Sequence, residues 1–411
     1  VAAIVLLLVG LASQQAVPAA VGMLVLITGS AAVLWSRLSL ERVGYERGWQ
    51  QHRAFVGEEI EGRFTLRNRK SLPSPWFEVR DIVPDQLPPV GVATLPAAWE
   101  GAYYFLHTTS LAPHERVRWR QSFRCTARGY YRFGPTRLRS GDLFGLFPRE
   151  RHLDGWDELA VLPRLVDLGD VPLPFLRPFG SAKGGNRIFE DQSRMAGVRD
   201  YRPGDPLKRI DWKATARRGS LQSRLYDPSA TASLIVALNA DTFAHNWEGY
   251  DPLLLERAVS VAASLAALVD ERGLAAGLMV NCTQPGADRP IVVPAGRDPA
   301  QLTRILEALA MVGSFTIVSL DELIDRQARR LPLGASVAVV TAFVTPALAA
   351  RVSRLKREGT AVALYWAGDH APEHLPPDVA VHDLTPRLRA FERSDPLVYG
   401  GATPELVRRF G

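Results

Sequence analysis

Between Tyr201 and Pro228 the chain reads YRPGDPLKRIDWKATARRGSLQSRLYDP, placing seven basic and three acidic residues around one tryptophan. Three chemistries compete for this stretch. A nucleic-acid helix would set Lys208, Arg209, Lys213, Arg217 and Arg218 against phosphates. Those five point around much of the helix, however, and no base-reading motif accompanies them. A catalytic centre would use Asp200, Asp205 and Asp211 as acids or bases, with no His or Cys nearby to work with them. In the structural reading, the carboxylates pair with Arg199, Arg202 and Arg209, and Trp212 wedges between two domains. The residues favour this last reading. Tyr201-Arg202-Pro203-Gly204 is a turn sequence, Asp205 suits an N-cap and Pro206 the first helical position. Leu207, Ile210 and Ala214 then form an apolar stripe. Gly219 ends the helix after Arg217 and Arg218, and SLQSRLY is expected as a strand.

Other candidates for chemistry are weaker. GSAKGG at 180–185 has its lysine before the glycine pair and no hydroxyl after it, so it lacks the order of a phosphate loop. Cys125 and Cys282 stand alone without metal-ligand spacing and read as buried small residues. The formal charge is +6, but only five of the 49 basic residues are Lys and the remaining 44 are Arg. That skew is a compositional habit more than a nucleic-acid footprint.

The elements that must carry these residues begin with an apolar N-terminus. Val1 to Ala12 is unbroken apolar sequence, Gln14-Gln15 interrupts it, and Ala16 to Trp35 is apolar or small throughout. Twenty residues at about 1.5 Å each span about 30 Å, a bilayer core. A membrane hairpin over 1–36 is expected, with Gln14 and Gln15 at its tip; the first segment is too short to span alone, and an opening Val in place of Met fits either a clipped chain or an alternative start codon. A signal peptide would have a basic flank before its apolar run, and none precedes this one. Arg37, Arg42 and Arg47 follow the second span while the tip is uncharged, which predicts that the body faces the cytoplasm.

From 44 to 163, alternating segments such as GEEIEGRFTLRN, WFEVRDIV and ERVRWRQSFRC predict an antiparallel β-sandwich, its arginines forming a solvated face. A Pro- and Gly-rich connector occupies 164–228. From 229 to 385, apolar strands alternate with helices: ASLIVALN, a long helix to Arg272, a strand at 274–281, helices at 299–311 and 319–330, SVAVVTAF, a helix at 346–358, and TAVALYWAG. That alternation predicts an α/β domain with helices on both faces. Residues 386–411 read as a polar tail. The fold class is thus a membrane-anchored multidomain α+β chain.

GVRDYRPGDPLKRIDWKATARRGSL resembles the signature of the bacterial domain-of-unknown-function family 58. RGYYRFGPTRLRSGDLFGLFPRER resembles a second motif of that family, with Leu143 where Pro is usual, and VLPRL a third. The resemblance covers nearly the whole chain, to about residue 385. It singles out Tyr201, Pro203, Gly204, Asp205, Arg209, Asp211, Trp212 and Lys213 as signature positions with a structural or interaction role. It implies a membrane-anchored protein associated with MoxR-type AAA+ ATPases, and often with a transglutaminase-like membrane protein. It further implies a von Willebrand factor A-like (Rossmann-like) C-terminal domain. Many such domains bind a divalent cation through Asp-x-Ser-x-Ser after the first strand. Here that stretch is NADTF: Asn239, Asp241 and Thr242 offer oxygens, but Asn239 replaces an acid and Phe243 a hydroxyl. AFVTP after the later strand SVAVVT offers no acid either, so two carboxylates of the implied set are missing and the site reads as degenerate, with no metal or cofactor expected.

These readings converge on a non-enzymatic, membrane-tethered scaffold that presents its α/β domain to a MoxR-type ATPase system and binds no nucleic acid. The alternatives are a hydrolase acting on an envelope component and a basic-surface nucleic-acid binder. A hydrolase of that kind requires the body outside the membrane. A nucleic-acid binder requires steeply salt-dependent affinity.

Overall fold

The computed structural model describes residues 2–97, 101–174, 195–202, 207, 210–226, 233–243, 249–283, 286–332 and 334–394. The chain forms two bodies, Val1–Arg164 and Leu165–Arg393.

The first body opens with α1 (Ala2–Ala12) and α2 (Ala16–Ser39), an antiparallel pair joined at Ser13–Gln15. Two glycines permit their contact. A Cβ at Gly10 would lie 2.4 Å from the backbone N of Ala19, and one at Gly22 would lie 2.6 Å from that of Leu7. Small residues of this kind let apolar helices approach backbone to backbone. α2 is long and apolar enough to cross a membrane, and Val17, Val21, Leu24, Ile27 and Leu34 project outward from it. Its C-terminal carbonyls are met by cations, as the helix dipole favours. Arg151 donates to the carbonyl of Leu40 (3.1 Å) and Lys70 Nζ to that of Ser39, while Arg151 also donates to the carbonyl of Val43 (2.6 Å) at the start of the first strand. Burial pushes the Lys70 ammonium down to about 8.

Eleven strands follow: β1 (Val43–Trp49), β2 (Arg53–Phe55), β3 (Glu59–Asn68), β4 (Ser74–Pro84), β5 (Leu95–Pro96), β6 (Ala102–Leu111), β7 (Arg116–Arg124), β8 (Gly129–Phe133), β9 (Thr136–Ser140), β10 (Arg149–Leu153) and β11 (Asp157–Leu162). They form sheets of order β1-β3-β7, β10-β9-β4-β6-β5 and β2-β11-β8. Pairing is antiparallel except between β2 and β11, a departure from the all-antiparallel expectation that spans three residue pairs. Along β3, alternation buries Ile60, Phe64 and Leu66. The three sheets share one core, where Trp49, Phe64, Phe105, Phe123 and Phe133 meet in edge and tilted ring contacts. One expectation is corrected here. Arg47 is no membrane-flank charge: its side chain is 7% exposed and pairs with Asp81 (3.1 Å) and Asp157 (2.8 Å) inside the body. β1 alternates, and Arg47 falls on its inward face beside Tyr45, which donates to the same Asp81 carboxylate.

The second body begins with Leu165–Val171, which lies against the α/β domain instead of forming a free linker. Val166 N donates to Ser264 Oγ (2.7 Å), and Tyr365 donates to the carbonyl of Pro172 (2.7 Å). β12 (Met195–Asp200) and β13 (Gln222–Tyr226) form an antiparallel pair flanking α3 (Trp212–Arg218). The sheet that follows contains β14 (Ser233–Leu238), β15 (Ala275–Thr283), β16 (Pro290–Gly296), β17 (Ser336–Thr341), β18 (Ala361–Trp366) and β19 (Ala380–Asp383). Its order is β16-β15-β14-β17-β18-β19, parallel throughout except for antiparallel β16 at one edge. The helices are α4 (Pro252–Glu271), α5 (Gln301–Ala310), α6 (Leu320–Ala328), α7 (Pro346–Arg357) and α8 (Thr385–Ser394). Ile235, Ala237, Met279, Val337 and Val339 pack against Leu323 and Ile324 of α6 and Val352 and Leu355 of α7. The alternate residues Leu234, Val236 and Leu238 are also buried, leaving that face for α4. Strands apolar on both faces are what a sheet covered on two sides requires.

The domain runs past the expected limit at 385. Arg257, on α4, holds Glu392 of α8 through Nε (2.5 Å) and Nη2 (2.8 Å) and also pairs with Asp369. The part of the expected tail beyond 394 lies outside the described residues.

Candidate functional site

In an open α/β sheet the crevice lies outside the carboxyl ends of the strands, where the strand order reverses. Here the chain leaves β14 toward β15 on one side, while β17 lies on the other. The residue at that reversal is Asn239, one position past β14. Its backbone N donates to Val340 O (2.9 Å) and its Nδ2 to Thr341 Oγ1 (3.1 Å). Asn281, fully buried near the end of β15, donates Nδ2 to Asn239 Oδ1 (3.0 Å) and to Asp241 Oδ2 (2.7 Å). Its Oδ1 accepts from the backbone N of Ala240 (2.7 Å). Thr316 Oγ1 donates to the other Asp241 oxygen (2.7 Å).

This network floors a cleft of about 300 Å³ with Phe243, Phe343 and Ile317 among its walls and Asp321 and Glu322 from the first turn of α6 at its side. Burial raises the Asp241 carboxyl above its ordinary value; the hydrogen bonds from Thr316 and Asn281 oppose this, and the charge of Asp321 adds to it.

Of the three ion-site positions, the structure brings Asn239 and Asp241 together and turns Thr242 away. Thr242 Oγ1 accepts from the backbone N of Asp251 (2.9 Å), and Asp251 caps α4 through Leu253 N (2.8 Å). The donor set does not fit a tight divalent-cation site. Asn239 Oδ1 already accepts from Asn281 and from Asp241 N, both Asp241 oxygens accept from neutral donors, and Phe243 offers none. Among the described residues, no three His, Cys, Asp or Glu side chains gather within metal reach.

Sequence reasoning passed over Asn281, Thr316, Asp321 and Glu322. Asn281 carried a signal, being a polar residue that closes the apolar run GLMVN at a carboxyl strand end. Ser319-Leu-Asp-Glu322 carried another, the S-x-x-E pattern of a helix start.

The signature stretch lies elsewhere. Tyr201 N donates to Leu221 O (2.9 Å) beside the β12–β13 pair. Pro203, Gly204, Asp205 and Arg209 lie outside the described residues. Asp211 caps α3: its carboxylate accepts from Ala214 N (2.9 Å) and pairs with Arg224 (3.2 Å). Residues 210 and 211 instead pair with β13, through an Ile210–Ser223 bridge and a bond from Asp211 N to Gln222 O (2.8 Å). The start of the helix that the apolar stripe predicted lies outside the described residues. Gly219 does end the helix, in the left-handed conformation. Trp212 is 67% exposed, so it is not the buried wedge expected, and Lys213 is exposed too.

The second body is therefore a doubly wound α/β domain whose switch point holds an internally bonded polar cluster, with one carboxylate held by neutral donors, beneath an acidic-sided cleft. Residues 197–389, which span this domain, match the family described as "Protein of unknown function DUF58". The chain is also 26% identical over 228 residues to "Uncharacterized protein YeaD" of Bacillus subtilis (strain 168), covering 54% of this chain and 52% of that protein. It thus spans about half the length of the curated relative it matches. Among solved structures, the CARDB domain of the PF1109 protein from Pyrococcus furiosus is 17% identical over 29% of this chain and 91% of its own, with a TM-score of 0.20. The sporulation control protein Spo0M of Bacillus subtilis is 12% identical over 30% and 50%, with a TM-score of 0.18. Neither likeness carries a functional argument.

Proposed function

We propose that the chain is a non-enzymatic scaffold held at a membrane by the α1–α2 hairpin, with its α/β domain, of von Willebrand factor A-like type, presenting the strand-end cleft to a protein partner. The observation that carries this reading is the construction of the cleft. Its floor is locked by Asn239–Asn281–Asp241–Thr316 bonds, Phe243, Ile317 and Phe343 line it together with Ser319 and Thr345, and its side is acidic. Phe315 stands exposed beside it. Apolar anchors bordered by charge are what a protein interface uses. The acidic side fits a partner segment with a Lys or Arg beside an aromatic or aliphatic residue.

By the family resemblance, the partner is a MoxR-type AAA+ ATPase, with a transglutaminase-like membrane protein as a second component. The exposed arginines Arg37, in the last turn of α2, and Arg42, just after it, against the uncharged Ser13–Gln15 turn, support a cytoplasmic body. The test is binding of the full chain, in nanodiscs, to the purified ATPase. Asp321→Lys with Glu322→Lys should abolish the interaction. Undiminished binding by that variant would remove the cleft from the proposal.

A further inference from the structure

We infer that the loop 142–148, Asp-Leu-Phe-Gly-Leu-Phe-Pro, is a second membrane contact that inserts into the headgroup boundary beside α2; this rests on the membrane-tethered reading above. Leu143, Phe144, Leu146 and Phe147 are between 41% and 67% exposed, a concentration of large apolar side chains within five residues. Isolated exposed apolar residues are ordinary on a soluble surface, but a contiguous patch marks a contact.

The loop is built to hold this shape. Asp142 is buried, and its carboxylate accepts from the backbone N of Phe144 (3.0 Å) and of Phe147 (2.7 Å). Trp76 Nε1 donates to the Asp142 carbonyl (2.9 Å), tying the loop to β4.

Its position identifies the occupant. Ser36 Oγ donates to the Phe147 carbonyl, fixing the loop at the last turn of α2, where the apolar run gives way to Arg37. Phe147 lines one groove with Val33, Leu34 and Arg37, so the patch continues the outward apolar surface of the helix. Arg37 and Arg149 are both exposed and flank the patch, as suits anionic headgroups. Apolar side chains bordered by cations at the end of a spanning helix match the boundary between acyl chains and headgroups.

The test uses the full chain in nanodiscs of phosphatidylcholine and phosphatidylglycerol, with an environment-sensitive fluorophore on single introduced cysteines. Cys125 and Cys282 are fully buried, and burial pushes the Cys125 thiol up to about 12, so labelling is selective. Labels go at Phe144→Cys and Leu146→Cys, at Leu24→Cys on the outward face of α2, and at Gln51→Cys beyond the far end of β1. The loop labels should shift to the blue and lose intensity when the lipids carry a shallow nitroxide, and the Leu24 label when they carry one deep in the acyl chains, with the Gln51 label unchanged by either. Quenching at Leu24 without quenching at the loop overturns this inference and leaves the anchor standing. No quenching at either site overturns both. A blue-shifted loop label that lipid nitroxide does not quench means protein covers the loop, and also overturns it.

Discussion

Among the described residues, two buried polar clusters, one in each body, handle charge in opposite ways. In the β-sandwich body, Asp81 is neutralised by Arg47 and further bonded by Thr136 and Tyr45, with Asp157 on the other side of the guanidinium. Burial, reinforced by the Asp81 carboxylate, holds the Tyr45 phenol well above its ordinary value, so it stays a donor. At the strand ends of the α/β domain, Asp241 receives only neutral donors, from Asn281 and Thr316, while a second carboxylate, Asp321, faces the same cleft. A carboxylate matched by a buried cation braces a core. One held by amides and hydroxyls at the mouth of a cleft keeps a negative potential directed outward, where a partner's cation can meet it.

The largest effect should come from breaking the compensated cluster. Arg47→Met strands Asp81 and Asp157, and should destabilise the first body by about 3–5 kcal/mol, read from thermal or denaturant melting. A loss below about 1 kcal/mol would place that cluster among exposed ion pairs, which contribute little.

In the strand-end cluster, Asn281→Ala removes the donor shared by Asn239 and Asp241 and the acceptor of Ala240 N. Unsatisfied buried groups of this kind cost about 1–3 kcal/mol. The expected loss is smaller than at Arg47, and binding to the partner should weaken with it. A loss as large as that at Arg47 would erase the distinction between the clusters.

Asp241→Asn should leave stability at neutral pH unchanged or slightly higher. With its folded pKa raised, Asp241 keeps its proton in the folded state at pH values where the unfolded chain, near about 3.9, has lost it. Its contribution is therefore present at low pH and is lost as pH rises through the folded value. The Asn variant should lack that slope in melting temperature against pH, and retention of the slope would assign it to another group. Millimolar Mg²⁺ or Ca²⁺ should shift the melting temperature of neither protein. A shift in the parent that disappears in Asp241→Asn would show that a cation occupies the site.

The smallest effect belongs to Trp212→Ala. At 67% exposure this indole supports little, and the change should stay within about 0.5 kcal/mol. A larger loss would restore its role as a wedge.

Much of the architecture was legible because it follows from burial. The runs ASLIVALN and SVAVVTAF announced β14 and β17, and the alternation in GEEIEGRFTLRN announced β3. What escaped was set by partners distant in sequence. Nothing local marks Arg47 as inward-facing until Asp81, 34 positions on, is placed beside it. α3 starts at its cap, Asp211, because β13 captures the backbone of residues 210 and 211. β16 was missed because its strand lies on the sheet edge, with Val292 exposed and two prolines breaking the apolar pattern. For the candidate site, the strand-end rule led to Asn239 and Asp241. It did not reach Thr316, which a loop carries in from 75 positions away, or Glu322, which the first turn of α6 brings to the cleft.

The central claim, that the strand-end cleft docks a protein partner, is tested most directly by placing a photocrosslinking amino acid at exposed Phe315 in the full chain and irradiating native membranes. The expected result is an adduct containing a MoxR-type AAA+ ATPase that disappears in Asp321→Lys with Glu322→Lys and is absent when the crosslinker sits at Trp212. Adducts of equal yield at both positions, or an ATPase adduct indifferent to those charge reversals, would contradict the account.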